Sequence, residues 1–150
     1  MTHCALMSPG KPDLSPCSVL HIKDFSSRGH SPKNKYLLVI GQSSESEVLA
    51  FLISSQLSYL QRESHKNEVV RLPANATSFL RFESIIQCFV LERLAISNLS
   101  DGFARGGVTN EGKLPVRYAH KIREVVKESR LLTQLEIDLA LKVLPPEKSN

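Results

Sequence analysis

The sequence predicts a mainly β domain with C-terminal helices, an α+β fold. Five short apolar or alternating stretches fall between residues 18 and 94, and no helical pattern alternates with them. That arrangement argues for an antiparallel barrel or coiled sheet and against βαβ units. Beyond residue 113 the apolar spacing lengthens to three and four residues, the spacing of a helix face. The 150 residues, 41% of them hydrophobic, suffice for one domain with its own core.

Residues 1–17 read as a loose leader, because Pro9, Pro12 and Pro16 replace any periodicity. Residues 18–150 read as a single domain, with strands in 18–96. "SVLHIKDF" (18–25) alternates and predicts the first strand. "SSRGHSPKNK" (26–35) is a polar loop carrying Arg28, Lys33 and Lys35. "YLLVIG" (36–41) and "VLAFLIS" (48–54) are continuous apolar runs, as expected of buried strands, with a serine- and glutamate-rich turn between them. "SQLSYLQRESHKN" is polar and predicts a long loop. "EVVRL" (68–72) is a short strand stopped by Pro73, and "SIIQCFVLERL" (84–94) is a strand rich in β-branched and aromatic residues.

Residues 97–113, "SNLSDGFARGGVTNEGK", predict a flexible glycine-bearing connector. The helical extension spans 114–145. Val116, Ala119, Ile122 and Val126 form one helical face, and Pro115 suits a first turn. "TQLE" (133–136) matches a capping box, with Thr133 as cap and Glu136 answering it. Ile137, Ala140, Leu141 and Leu144 follow at helical spacing, and Pro145-Pro146 end the helix.

The formal charge of +4 permits a nucleic-acid or acidic-protein partner without requiring one. Three cysteines, Cys4, Cys17 and Cys88, with no CxxC spacing, argue against a disulfide framework and against a zinc site. Cys88 sits in an apolar run and reads as a small buried hydrophobe. The N-terminal stretch has the pattern of neither a signal peptide nor a membrane span. The expectation is therefore a cytoplasmic protein without a membrane partner, in which the sequons at Asn75 and Asn98 carry no weight. No Ser-His-Asp order, P-loop, GxGxxG or HExxH motif is present, which disfavours the common hydrolase and nucleotide-binding classes. No metal and no cofactor are expected.

The stretches "VLHIKDF", "KNKYLLVIG", "VLAFLISS" and "ESIIQCFVLERL", followed by a helix, resemble the MazF/PemK/Kid toxins of bacterial toxin–antitoxin systems. The resemblance covers roughly residues 18–94. It implies an SH3-like antiparallel barrel of the MazF/PemK/CcdB type, a homodimer, metal-independent cleavage of single-stranded RNA, growth inhibition and a cognate antitoxin. It also places the family's phosphate-stabilising arginine at Lys35, the proline that commonly follows at Tyr36, and the assisting Thr/Ser at Ser54. An Arg and an Asp that serve in one branch fall on Gln87 and Phe89.

These departures matter chemically. Cleavage through the ribose 2′-OH needs a base, charge for the phosphorane and an acid for the leaving oxygen. Lysine supplies a point charge where arginine would grip two oxygens. Phe89 removes one candidate base, for which His21 or His30 are substitutes, since histidine titrates near neutrality, and Glu83 is a third. The resemblance thus implies catalytic roles for Lys35, Ser54 and His21 and RNA contacts at Arg28, Lys33, Tyr36 and Arg81, with stacking from Tyr36 or Tyr59. The plainer reading makes Lys35 and Ser54 ordinary strand-end residues, and Arg117, Lys121 and Arg123 a solvated helix face. The alternative function is a catalytically degenerate barrel that binds protein or nucleic acid, as in the branch of the superfamily that poisons a protein target.

Overall fold

The structure is a computed structural model that describes residues 11–25, 33–55, 57–77 and 79–146. Its described residues form a mixed α+β fold. The strands are β1 (Ser18–Phe25), β2 (Lys33–Gln42), β3 (Glu47–Ser54), β4 (Val69–Leu72), β5 (Ser84–Ala95) and β6 (Val108–Lys113). The helices are α1 (Ile96–Ala104), α2 (Val116–Lys127) and α3 (Gln134–Val143), with a 3-10 turn at Leu57–Gln61. The strands make one antiparallel sheet in the order β4-β5-β3-β2-β1-β6, and the sheet is not closed. No helix among the described residues is long and apolar enough to cross a membrane.

β2 and β3 are buried on both faces, which explains their continuous apolar sequences. Alternation sends Leu38, Ile40, Leu49, Phe51 and Ile53 to one face, under α2 and α3. Leu37, Val39, Val48, Ala50 and Leu52 go to the other, with Leu99 of α1. Register shifts interrupt four of the five described strand pairings. Between the pairs Ala50↔Glu92 and Leu52↔Gln87, Cys88 to Leu91 stand opposite Phe51 alone, so β5 must bend. α1 leaves the end of β5, leads into β6 and packs against both strands.

The expectations for the connector and the leader need correction. The connector expected at 97–113 is α1 followed by β6. α1 buries only Leu99, and β6 only Val108, so neither carries a local apolar period. β6 exists because its backbone pairs with β1, from Ser18↔Lys113 to Ile22↔Val108. The leader is also shorter than expected. Residues 1–10 lie outside the described residues, but Cys17 is buried, its N–H donating to Val39 O (2.8 Å) and its carbonyl accepting from Leu114 N (2.9 Å).

The helical extension follows its sequence closely, with one exchange. α2 buries Tyr118, Ala119, Ile122 and Val126, whereas Val116 is 56% exposed. Pro115 is the N-cap of α2 and not its first turn. Thr133 Oγ1 accepts from Glu136 N (3.1 Å) while Glu136 Oε1 accepts from Thr133 N (2.8 Å), completing the capping box of α3. Arg123 leaves the solvated face expected for it: its Nη1 donates to the carbonyls of Leu141 (3.2 Å), Leu144 (3.4 Å) and Pro145 (3.3 Å), closing the end of α3.

Candidate functional site: a cleft at the ends of β2 and β3

The β2–β3 register pairs Tyr36 with Ile53, and one further step along both strands sets Lys35 opposite Ser54. Directly opposed residues of an antiparallel pair share a face, so Lys35 and Ser54 stand on the same side of the sheet. Lys35 is also paired with Ile22 of β1. Tyr36 and Ile53 point to the other face. Both pairs border a cleft of about 610 Å³ that straddles the strand ends.

Residues 79–84 make the opposite wall of the cleft. Leu80 is buried in the core beneath α2 and α3, which anchors the segment. Arg71 of β4 grips Glu83 through Nε (2.9 Å) and Nη2, and Ser84 Oγ donates to Phe82 O (3.1 Å). Held in this way, Arg81 is exposed and Phe82 stands 70% exposed on the rim. Phe79 stacks on Tyr36, with ring centroids 5.3 Å apart and planes at 28°. The result is a cation at each wall, hydroxyls from Ser54, Ser55 and Ser84, and aromatic surface between them.

The expected site residues divide. Lys35, Ser54, Tyr36 and Arg81 all line the cleft. His21 does not. It is the cross-strand partner of Tyr36, on the face opposite Lys35 and Ser54, with its ring 4.8 Å from the tyrosine ring. Lys33 opens β2, earlier than the strand start expected at Tyr36, and pairs with Phe25; it is exposed and does not border the cleft. Arg28 and His30 lie outside the described residues, as does the side chain of Tyr59. Gln87 is buried in β5, and the Phe89 ring meets His65 edge-on at 4.7 Å.

Sequence reasoning did not single out Phe79, Phe82 and Ser84. The signal was the run Phe-Leu-Arg-Phe at 79–82, a cation between aromatics ahead of a strand. The cleft can hold a phosphate by charge and hydroxyl donors and can stack a flat base. Its described lining contains no carboxylate and no imidazole. Among the described residues no group of three or more potential metal ligands is gathered, and Cys17 and Cys88 are free buried thiols. Comparison with protein-family models and with curated proteins finds no match to this chain.

Proposed function

We propose that this protein is a toxin-like, SH3-like barrel module that binds single-stranded RNA in the cleft between Lys35 and Phe82. The observation that carries the reading is the combination, in one cleft, of two cations, Lys35 and Arg81, with an exposed phenylalanine and a stacked aromatic pair. Cations track a phosphate backbone, and rings accept any base by its π-face, so together they favour a single strand over a duplex. The large bulge in β5 and the placement of α1 against both β5 and β6 support the barrel reading.

A second reading is the full activity of the toxins: metal-independent cleavage of single-stranded RNA, restrained by a cognate antitoxin, in a cytoplasmic homodimer. The Lys35–Ser54 juxtaposition favours it. In that reading Lys35 offsets the phosphorane charge and Ser54 donates to a non-bridging oxygen. The described lining offers no base of its own, so the 2′-OH proton has to pass through water to His21, whose ring touches Tyr36 on the other face, and to return from the imidazolium to the departing 5′-oxygen as the P–O5′ bond breaks.

One experiment separates these readings. A fluorescein-labelled oligouridylate is titrated with protein in EDTA, followed by anisotropy, and the products are run on a gel. The binding module predicts a complex that Lys35→Ala and Arg81→Ala each weaken by about threefold or more, with the RNA intact. Fragments that vanish in Lys35→Ala and slow in His21→Ala establish the nuclease. Affinity equal in wild type and both cation variants would sink the cleft as an RNA site.

A further inference from the structure

The charged triplet of α2 divides in the fold, and the division creates a second basin. Arg123 caps α3. Arg117 and Lys121, one helical turn apart, both lie over the ring of Tyr118, with Cζ at 5.0 Å and Nζ at 5.3 Å from its centroid. Tyr118 is only 2% exposed, so the ring is a fixed support beneath two exposed cations. Arg71, on the edge strand β4, completes a basin of about 660 Å³ with these residues, Pro73 and Glu83.

This basin and the cleft share one stretch of chain. Phe82 and Ser84 line the cleft, whereas Glu83, between them, lines the basin. The stretch Phe82–Ser84 therefore borders both concavities, with the Phe82 ring at one and the Glu83 carboxylate at the other. Three cations outnumber the single carboxylate, and Glu83 already engages one of them, Arg71. We infer that Arg71, Arg117 and Lys121 form a second phosphate-binding subsite, which takes the backbone of a single strand where it leaves the cleft over the Phe82 rim. The inference rests on the RNA-binding reading of the cleft and extends its footprint onto the helical extension.

The two subsites have different length requirements. A strand confined to the cleft leaves the basin empty, and a longer one fills both. Each phosphate contact adds about 0.7 to the slope of log affinity against log salt for a single strand. Glu83 competes with phosphate for Arg71, so removing its charge frees a cation at the basin.

Labelled oligouridylates of about four and about twelve nucleotides are titrated by anisotropy across a salt series. The paired change Arg117→Ala with Lys121→Ala is expected to weaken the long strand by roughly three- to fivefold per cation and to leave the short strand unchanged. The long-strand salt slope falls by about 0.7 per cation removed. Glu83→Gln loosens the cleft wall for both lengths, so it is read as the ratio of long-strand to short-strand affinity, which rises as Arg71 is freed; a purely structural role for the Arg71–Glu83 pair leaves that ratio unchanged. Lys35→Ala weakens both lengths. Inorganic phosphate at matched ionic strength leaves the long-strand advantage in place; its abolition would mark a free-anion site and overturn the strand path. Equal affinities of wild type and paired variant for the long strand also overturn it, with the cleft reading intact. Failure of wild type to bind either length removes the cleft reading and the subsite with it.

Discussion

The rings of Tyr36 and Phe79 stack at 5.3 Å, joining the end of β2 to the wall that carries Arg81 and Phe82. Both rings are partly buried against the core beneath α2 and α3. The stack thus links the cleft's geometry to the stability of the fold. Phe82, three residues on from Phe79, has no such duty, being 70% exposed.

That contrast gives a separable outcome. Phe82→Ala should leave the urea midpoint unchanged and weaken single-strand binding by roughly tenfold, the loss of one stacked base. Phe79→Ala should lose both, with stability down by about 1 kcal/mol or more as the aromatic pair and its packing go. A Phe82→Ala protein that binds as tightly as wild type removes the rim from the site.

Gly41 is held where a side chain does not fit. It lies at a register shift in β2 with φ +150°, and an added Cβ would meet Val143 Cβ and O at 2.9 Å. Gly41→Ala should cost about 2 kcal/mol by pushing away the end of α3. Gly106→Ala is the control: its φ is +82° but nothing lies within 4 Å, so only the backbone cost of about 1 kcal/mol applies. Chemical denaturation of both variants checks the order, and equal losses would contradict the contact.

Glu68 ties the sheet to the turn between α2 and α3. Its side chain is nearly fully buried and accepts from Ser129 Oγ (2.6 Å) and Arg130 N (2.8 Å), while its carbonyl accepts from Cys88 N (3.0 Å). Glu68→Ala leaves two donors to find new partners and should cost about 2–3 kcal/mol. Ser129→Ala should cost less, about 1 kcal/mol, because the Arg130 N–H bond survives. The double variant should fall short of the sum, as expected of groups in one network.

Cys88 gives the fold a base-side pH dependence. Burial, and then the charge of Glu68, push its thiol well above the ordinary 9.0. Above about pH 9 the unfolded chain gives up this proton while the folded chain keeps it. Stability is therefore complete below pH 9 and declines above it, by about 1.4 kcal/mol per pH unit from this group. Cys88→Val should flatten the difference between stabilities measured at pH 8 and pH 10. A slope identical to wild type would show that the thiol does not titrate in this way. Cys17, also raised by burial, retains its own share in both proteins.

The candidate site was legible in the sequence where it lay on strands with strong signals. Lys35, Tyr36 and Ser54 flank the two most apolar runs, and the pairing of those runs brings them together. Phe79 and Phe82 were not legible, because their segment is neither helix nor strand and reaches the cleft only through the anchoring of Leu80 and the Arg71–Glu83 pair. His21 shows the limit of counting along a strand: adjacent residues face opposite ways, so His21, next to Lys35's partner Ile22, stands with Tyr36 on the other face.

The amino-acid order alone determined the buried stripes of β2 and β3, most of the packed faces of α2 and α3 and the Thr133–Glu136 cap, since periodicity and capping are local and need no partner. Tertiary structure decided the rest. β6 gains its hydrogen bonds from β1, α1 its place from β5 and β6, Glu68 its donors from a turn some sixty residues away, and the cleft its second wall from Leu80. Polar segments acquire structure from backbone and side-chain groups distant in the chain, and a local pattern cannot specify a partner it does not contain.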